Sequence, residues 1–390
     1  MDFTNLKNYM DELTAWQIPG NTIRVFKDNT EVFRYSSGFG DVKSGRAMCG
    51  DEFFNIYSCS KVALSVAVMQ LVENGKISLD APLYDYIGEF REMQCRDENG
   101  NIKKAEKPIT IRHLLSMTSG LGYELYSDAL NAAREKTCGK MDTLTAIRSM
   151  SEHILDFEPG ERWQYGLSHD VLAGVVEIVS GVEFREYMLK NIFEPVGMKE
   201  IYYHLPDSIK DKMATQYLFL TSEEVKGKDE ELIKTPDGKG YWQTLPKGVM
   251  WYVLGEEYDS GGAGITTNAD DYIKLAATLA NNGLSCTGER ILLPDTVELM
   301  KANQLNEKQM QYYTWEQLSG YGYGLGVRTL VDKMSSPSAL GEFGWDGAAG
   351  SFFLVDTENN LAYFYAQHML NSCSEIIEQR LRNVVYSCLK

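Results

Sequence analysis

The run Tyr57-Ser58-Cys59-Ser60-Lys61 sets a hydroxyl and an amine three residues apart. If the chain is helical there, the two lie on one face, and the lysine amine comes within reach of the serine oxygen. The apolar run Val62–Val72 and the stop signal Asn74-Gly75 predict that helix, buried on nearly all sides. Ser58 then stands at its N-terminus, where unpaired N–H groups and the helix dipole favour negative charge. A developing oxyanion would be stabilised at such a place. Desolvation by the apolar surroundings is expected to lower the pKa of Lys61 and leave a neutral amine that accepts the Ser58 proton. The pattern is short and recurs by chance: Ser387 and Lys390 repeat it at the other end of the sequence.

Two further segments carry candidate chemistry. In Gly160–Asp170, Tyr165 falls in a loop before a helix that Ser168 is expected to cap and that stops at Ser180-Gly181. A phenol near Lys61 could relay protons, with the ammonium lowering its pKa. In Phe343–Gly350 a glycine-dense edge leads into the strand Ser351–Val355, and glycine there lets a substrate approach the backbone. Read alone, Tyr165 is equally an ordinary loop aromatic and the glycine run an ordinary turn. His169 and Asp170 invite a Ser-His-Asp reading, but the chain has no Gly-x-Ser-x-Gly elbow, so His169 is expected to be structural. Cys59 reads as small buried packing. His113, His153, His204 and His368 show no ligand spacing, and neither His-Glu-x-x-His nor paired cysteines occur, so no metal or other cofactor is expected. Tyr123, Tyr126, Trp251 and Tyr252 fit an acyl pocket or, equally, a core.

Taken in order, Ser58-x-x-Lys61, the tyrosine at 165 and the strand motif Trp345-Asp346-Gly347 resemble the serine β-lactamase and penicillin-binding-protein-like family. The likeness is greatest to class C β-lactamases and family VIII carboxylesterases. Ile109–Leu121, Ser260–Ile265 and Tyr321–Gly326 are similar to further family segments, so the resemblance runs through nearly the whole chain. It implies that Ser58 is acylated, that Lys61 and Tyr165 act together as general base and acid, and that the backbone N–H groups of Ser58 and Ala348 form the oxyanion hole. It implies a helix-flanked antiparallel sheet with an inserted helical domain, and no metal. Leu167, Trp345, Asp346 and Gly347 are its candidates for substrate contact.

Two departures bear on substrate. Where the family commonly has Tyr-x-Asn, this chain has Tyr165-Gly166-Leu167, and Leu167 offers no amide. Where the family commonly has Lys-Thr-Gly, it has Trp345-Asp346-Gly347. The cation that meets a substrate carboxylate is missing, and Asp346 is expected to repel anionic penicillins and cephalosporins. Trp-x-Gly resembles the esterase branch more. The expected function is ester or amide hydrolysis of a small, neutral or cationic substrate. The alternatives are a β-lactamase, a D-amino-acid peptidase or, in another class, a non-catalytic acyl-binding or sensing module.

The elements that must position these residues follow from periodicity. A helix is expected over 3–16, from Leu6, Met10 and Leu13. Thr22–Phe26 and Glu31–Tyr35 read as a hairpin about Lys27–Thr30, and Phe352–Val355 with Leu361–Tyr365 read as a second. Ser372-x-x-Glu375 offers a capping box for an amphipathic helix through Ile377, Leu381, Val384 and Cys388. Hairpins too small to stand alone at both ends predict one α+β sheet domain of residues 1–76 and 271–390. The helical patterns Ile111–Met117, Thr143–Met150, His169–Val179 and Arg185–Ile192 predict a mostly helical insertion over 77–270. Within it, 205–260 shows no clean period and is expected to be an irregular lid or pocket wall.

Composition narrows the partners. A chain of 390 residues with net charge −17 repels phosphate backbones, which excludes nucleic acid and anionic membrane surfaces as expected partners. No apolar run reaches the roughly 18 residues a membrane span needs. No basic stretch followed by an apolar run opens the sequence, so no secretory leader is expected. Seven scattered cysteines suit free thiols in a reducing cytoplasm. Oligomeric state is not legible.

Overall fold

The computed structural model describes residues 1–226, 231–248, 250 and 252–389. Trp251 and Lys390 lie outside the described residues.

An eight-stranded antiparallel sheet joins the two ends of the chain. Its N-terminal strands are β1 (Gly20–Lys27), β2 (Thr30–Asp41) and β3 (Arg46–Ala47). The others are β4 (Tyr321–Tyr323), β5 (Arg328–Leu330), β6 (Phe343–Gly347), β7 (Ser351–Asp356) and β8 (Leu361–Gln367). The spatial order is β4-β5-β6-β7-β8-β1-β2-β3, so β1 pairs with β8, Ile23 opposite Tyr365. Both hairpins expected from the sequence are present. Alternation decides which side each residue serves. Ile23, Val25, Phe352, Leu354, Tyr363 and Tyr365 pack under helix α1 (Thr4–Trp16) and the C-terminal helix. Phe353, Val355, Ala362 and Phe364 turn to the larger core on the other side. Both faces are buried at β7 and β8, which is why these two strands are apolar at nearly every position.

The larger core contains helix α2 (Ser60–Glu73), buried at almost every position and closed by Asn74 and a left-handed Gly75. Around it stand α3 (Ser168–Ser180) and α4 (Ala269–Ala280), the latter packed across β8 and β1. The other expected helices appear as Ile111–Leu115, Thr143–Met150 and Phe184–Met188.

Two expectations are corrected. Residues 205–260 are not uniformly irregular: Gly240–Thr244 pairs antiparallel with both Tyr217–Thr221 and Leu232–Lys234, and Met369–Leu370 adds to Tyr217–Thr221 in parallel. The alternation in this small sheet is short and interrupted by charged turns, so no period stands out. The capping box at Ser372 is also absent. The C-terminal helix, α5, begins at Ser374, and Cys373 before it is left-handed with no side-chain cap. A left-handed residue cannot present the extended geometry a capping box needs, and the Ser372 carbonyl instead accepts from Gln367 Nε2 at 2.9 Å.

A short three-stranded sheet matters more for the site than its size suggests. Phe53–Asn55 pairs with Thr266–Asn268, which pairs with Ile201–Tyr202. The Asn55 N–H donates to His368 Nε2 at 3.2 Å, and His368 Nδ1 meets the Ala214 carbonyl at 2.7 Å. Burial pushes this imidazole down to about 4. An unfolded histidine titrates near 6.5, so the stability lent by the neutral ring is complete above about 6.5 and is lost as pH falls toward 4. Burial drives His113 down to about 4 as well. Urea melts should therefore lose stability between pH 6.5 and 4 at up to ~1.4 kcal/mol per pH unit for each ring. His368→Gln should flatten part of that slope, and a slope equal to wild type would refute the assignment.

Candidate active site

Ser58 is delivered by strained backbone. The Ile56 N–H donates to the Ile265 carbonyl at 3.0 Å, and the next residue, Tyr57, is left-handed with φ 45°. A bulky residue in that region is costly and is held only by its surroundings. Tyr57 is fully buried, and its Oη accepts from Gln216 Nε2 at 2.7 Å. A single 3₁₀ turn, Tyr57–Cys59, then leads into α2, and Tyr272 Oη donates to the Cys59 carbonyl at 2.6 Å. Cys59 packs inward, its Sγ 3.3 Å from the Trp345 carbonyl, and burial pushes its thiol well above the usual range. It is inert filling, as expected.

Lys61 is fully buried on the same helical face. Its Nζ donates to the Gly262 carbonyl at 2.7 Å and to Ser58 Oγ at 3.1 Å, and lies 3.5 Å from Tyr123 Oη. Burial pulls the amine down to about 8, while Asp170 opposes that fall.

Tyr165 stands beside this pair, its ring centre 4.7 Å from Lys61 Nζ. Its Oη accepts from Trp345 Nε1 at 3.0 Å, and the two rings stack. Gly166 follows because the chain presses against the Leu121 carbonyl, which a Cβ would meet at 1.9 Å. The expected fall in the Tyr165 pKa is not found. Burial raises it far beyond the usual phenol range, outweighing the hydrogen bonds to Ser58 and Trp345 that pull it down. Tyr165 is a neutral phenol. Nor does Ser168 cap α3: Leu167 holds the cap position, and the Ser168 hydroxyl bonds that of Ser119 at 2.8 Å.

A cavity of about 300 Å³ opens over Ser58, lined by Tyr123, Tyr165, Tyr252, Trp315, Gln317, Leu318, Trp345, Asp346, Gly347, Ala348 and Ser374. Gly347 is required where β6 meets the backbone before Ser58: a Cβ there would lie 2.2 Å from the Ile56 carbonyl oxygen. Ala348, on the turn after β6, shares the cavity wall with Ser58. Leu167 does not reach the cavity. It is 2% exposed and packs into the main core, which corrects its candidacy as a substrate contact. Tyr126 is exposed on the surface. A larger cavity of about 500 Å³ elsewhere is walled by carboxylates such as Asp142, Glu177 and Glu257 and holds no serine.

The charge on Asp346 does not stand alone. Arg328, fully buried, reaches it at 3.3 Å, and also Glu378 at 2.7 Å and Glu342 at 3.6 Å. Burial lifts Glu342 to about 7 and Glu378 well above its usual range. The repulsion of anions expected from Asp346 is therefore blunted by a guanidinium behind it.

The histidines stay out of the cavity. His169 is buried with Nε2 3.3 Å from Ser65 Oγ, His153 meets Ser127, His204 meets Asp259, and His113 closes a cap on Thr110. Among the described residues no cluster of His, Cys, Asp or Glu is disposed to hold a metal, and no helix is long and apolar enough to cross a membrane. Sequence reading gave no role to Trp315, Gln317, Leu318 or Ser374, which lie far from the motifs and reach the cavity only through folding. It passed over Asp170 as part of an unconvincing triad, although a carboxylate one turn into a helix that follows Tyr165 was a usable signal.

The beta-lactamase family model matches residues 6–372. Esterase EstB of Burkholderia gladioli is 29% identical over 334 residues, covering 83% of this chain and 79% of that protein. Among solved structures, EstCE1, a hydrolase with promiscuous acyltransferase activity, superposes with a TM-score of 0.76 at 25% identity, covering 98% of this chain and 97% of that one. A family VIII carboxylesterase superposes at 0.73 with 19% identity, covering 99% and 97%.

Placing Leu167 in the core has a measurable consequence. Leu167→Asn, which restores the common Tyr-x-Asn pattern, should destabilise the fold by about 2–4 kcal/mol by burying an unpaired amide. It should not gain nitrocefin turnover. Thermal melts and a nitrocefin assay decide it, and an unchanged melting temperature would return Leu167 to the cavity wall.

Proposed function

This chain belongs to the beta-lactamase family, and from that premise we propose a serine hydrolase that cleaves small neutral carboxylic esters through an acyl-Ser58 intermediate. The observation that carries this reading is a buried amine, pulled down to about 8, at 3.1 Å from the Ser58 hydroxyl.

In this mechanism Lys61 Nζ takes the Ser58 proton as Oγ bonds to the ester carbonyl. The oxyanion sits near the N–H groups of Ser58 and Ala348 at the mouth of α2. Tyr165, protonated and steered by Trp345, gives its proton to the departing alkoxide and recovers one from Lys61. Water then attacks the acyl-enzyme with the same groups in reverse, releasing the acid and restoring Ser58. Each step conserves charge and needs no cofactor.

The cavity wall favours an apolar, uncharged acyl group. Tyr123, Tyr252, Trp315 and Leu318 face it, and no lysine or arginine is among its described lining residues. An anionic lactam would find no cationic partner there. Transfer of the acyl group to an alcohol uses the same intermediate, and the likeness to EstCE1 supports it as a side reaction.

The test compares p-nitrophenyl butyrate with nitrocefin. Wild type should turn over the ester and barely touch nitrocefin, and Ser58→Ala should fall to background. Lys61→Met and Tyr165→Phe should each lose at least about 100-fold in kcat. Ester turnover persisting in Ser58→Ala would reject the mechanism. A stable adduct on Ser58 without turnover would make the protein an acyl-binding module. Since only the neutral amine is a base, kcat/KM should rise with pH through about 8, and a flat profile from pH 6 to 9 would exclude Lys61 as the base.

A further inference from the structure

Asp170 lies across Gly262 from Lys61 and is 3% exposed. Its Oδ1 accepts from Tyr258 Oη at 2.5 Å, from Ser260 Oγ at 2.6 Å and from the Gly262 N–H at 3.3 Å. The same Gly262 gives its carbonyl to Lys61 Nζ at 2.7 Å. One short loop is thus held by the carboxylate through its donors and holds the amine through its acceptor. Gly262 separates the two charges: a Cβ on it would lie 2.5 Å from Asp170 Oδ2 and 3.3 Å from Lys61 Nζ. That puts carboxylate and amine inside the roughly 4–6 Å over which an opposite charge favours the ionised form.

We infer that Asp170 is a positioning residue for Lys61: it fixes the loop carbonyl that anchors the amine, and its charge sets the pH at which the amine becomes a base. The inference deepens the reading of Lys61 as the base and rests on it. The other titratable groups facing the amine are Cys59 on the turn before α2, Tyr165 and His169 on α3 and its approach, Tyr123, and Tyr258. All are held neutral by burial. Asp170 alone among these neighbours brings a formal charge. Desolvation by itself would leave an amine too weakly basic to keep the Ser58 proton while the ester carbonyl is attacked. The carboxylate offsets part of that loss, so the amine both takes the proton and returns it.

Asp170→Asn keeps an oxygen for Tyr258 and Ser260 and removes the charge. Two readouts follow in parallel: kcat/KM for p-nitrophenyl butyrate from pH 5 to 10, and the NMR titration of Lys61 in protein labelled at lysine Cε, its signal assigned by its loss in Lys61→Met. In Asp170→Asn both midpoints should move to lower pH by about one unit or more, and the plateau rate should fall because the base is weaker. Tyr258→Phe keeps the charge but removes a donor from it, which concentrates negative charge toward Lys61, so its midpoints should move to higher pH. This second variant decides the matter if Asp170→Asn does not fold. Midpoints unmoved in the folded variants would overturn the inference, whatever their melting temperatures. Failure of the hydrolase reading looks different: wild type would show no ester turnover at any pH, while the Lys61 titration still shifted in Asp170→Asn.

Discussion

An amine stripped of water is stable only if its protons find acceptors and its charge finds a counterpart. Lys61 meets both conditions within one turn of α2. The Gly262 carbonyl, the Ser58 hydroxyl and Tyr123 Oη surround its nitrogen, and the carboxylate of Asp170 lies behind Gly262. Desolvation and the carboxylate pull in opposite directions, and desolvation prevails. Much of the middle of the chain is arranged around this balance. The start of α3, the loop 258–264 and the segment at Tyr123 come from distant parts of the sequence, and each places one group near the same nitrogen.

Such convergence demands close backbone approach, and the chain shows where. Tyr57 adopts a left-handed conformation immediately before Ser58. Gly166 lies against the Leu121 carbonyl and Gly347 against that of Ile56. A methyl group at either glycine would separate Tyr165 or β6 from the helix mouth. The strain at Tyr57 is tolerated because burial of its ring and the hydrogen bond from Gln216 leave it no relaxed alternative. His368 acts at one remove, tying the strand before Ser58 to Ala214. Rigidity at Ser58 is thus built from packing around one turn.

The parts legible in the sequence are those where one local interaction decides. Ser58 and Lys61 meet because three residues make nearly a helical turn, and the hairpins at both ends are written as short strand-forming runs about polar turns. Tertiary context governs what was misread. Tyr165 was expected to be acidified by a neighbouring ammonium, but the amine is itself weakly basic, and burial dominates the phenol. Ser372 and Ser168 have the right residue type for caps, yet Cys373 turns left-handed and Ser168 finds Ser119 instead. Leu167 stands where an amide is usual and goes to the core because an isobutyl side chain gains more there than on a polar rim. The small sheet within 217–244 was invisible because its strands are three to five residues long and their alternation never accumulates.

The electrostatics of the third motif change meaning once Arg328 is placed. In the sequence, Asp346 replaces a cation with an anion, which suggests rejection of anionic substrates by repulsion. In the fold the guanidinium behind Asp346 is shared among three carboxylates, two of which burial pushes toward protonation. The group is close to neutral as a whole, so its field at the cavity is weak. On the proposed reading, discrimination against an anion then comes from what the wall lacks. In that reading a carboxylate entering among Tyr123, Tyr252, Trp315 and Trp345 would shed its water against a wall that has no lysine or arginine among its described lining residues. A neutral ester loses little hydration on entry and gains the aromatic contacts, so in the proposed esterase selection by charge follows from the missing lysine more than from the added aspartate.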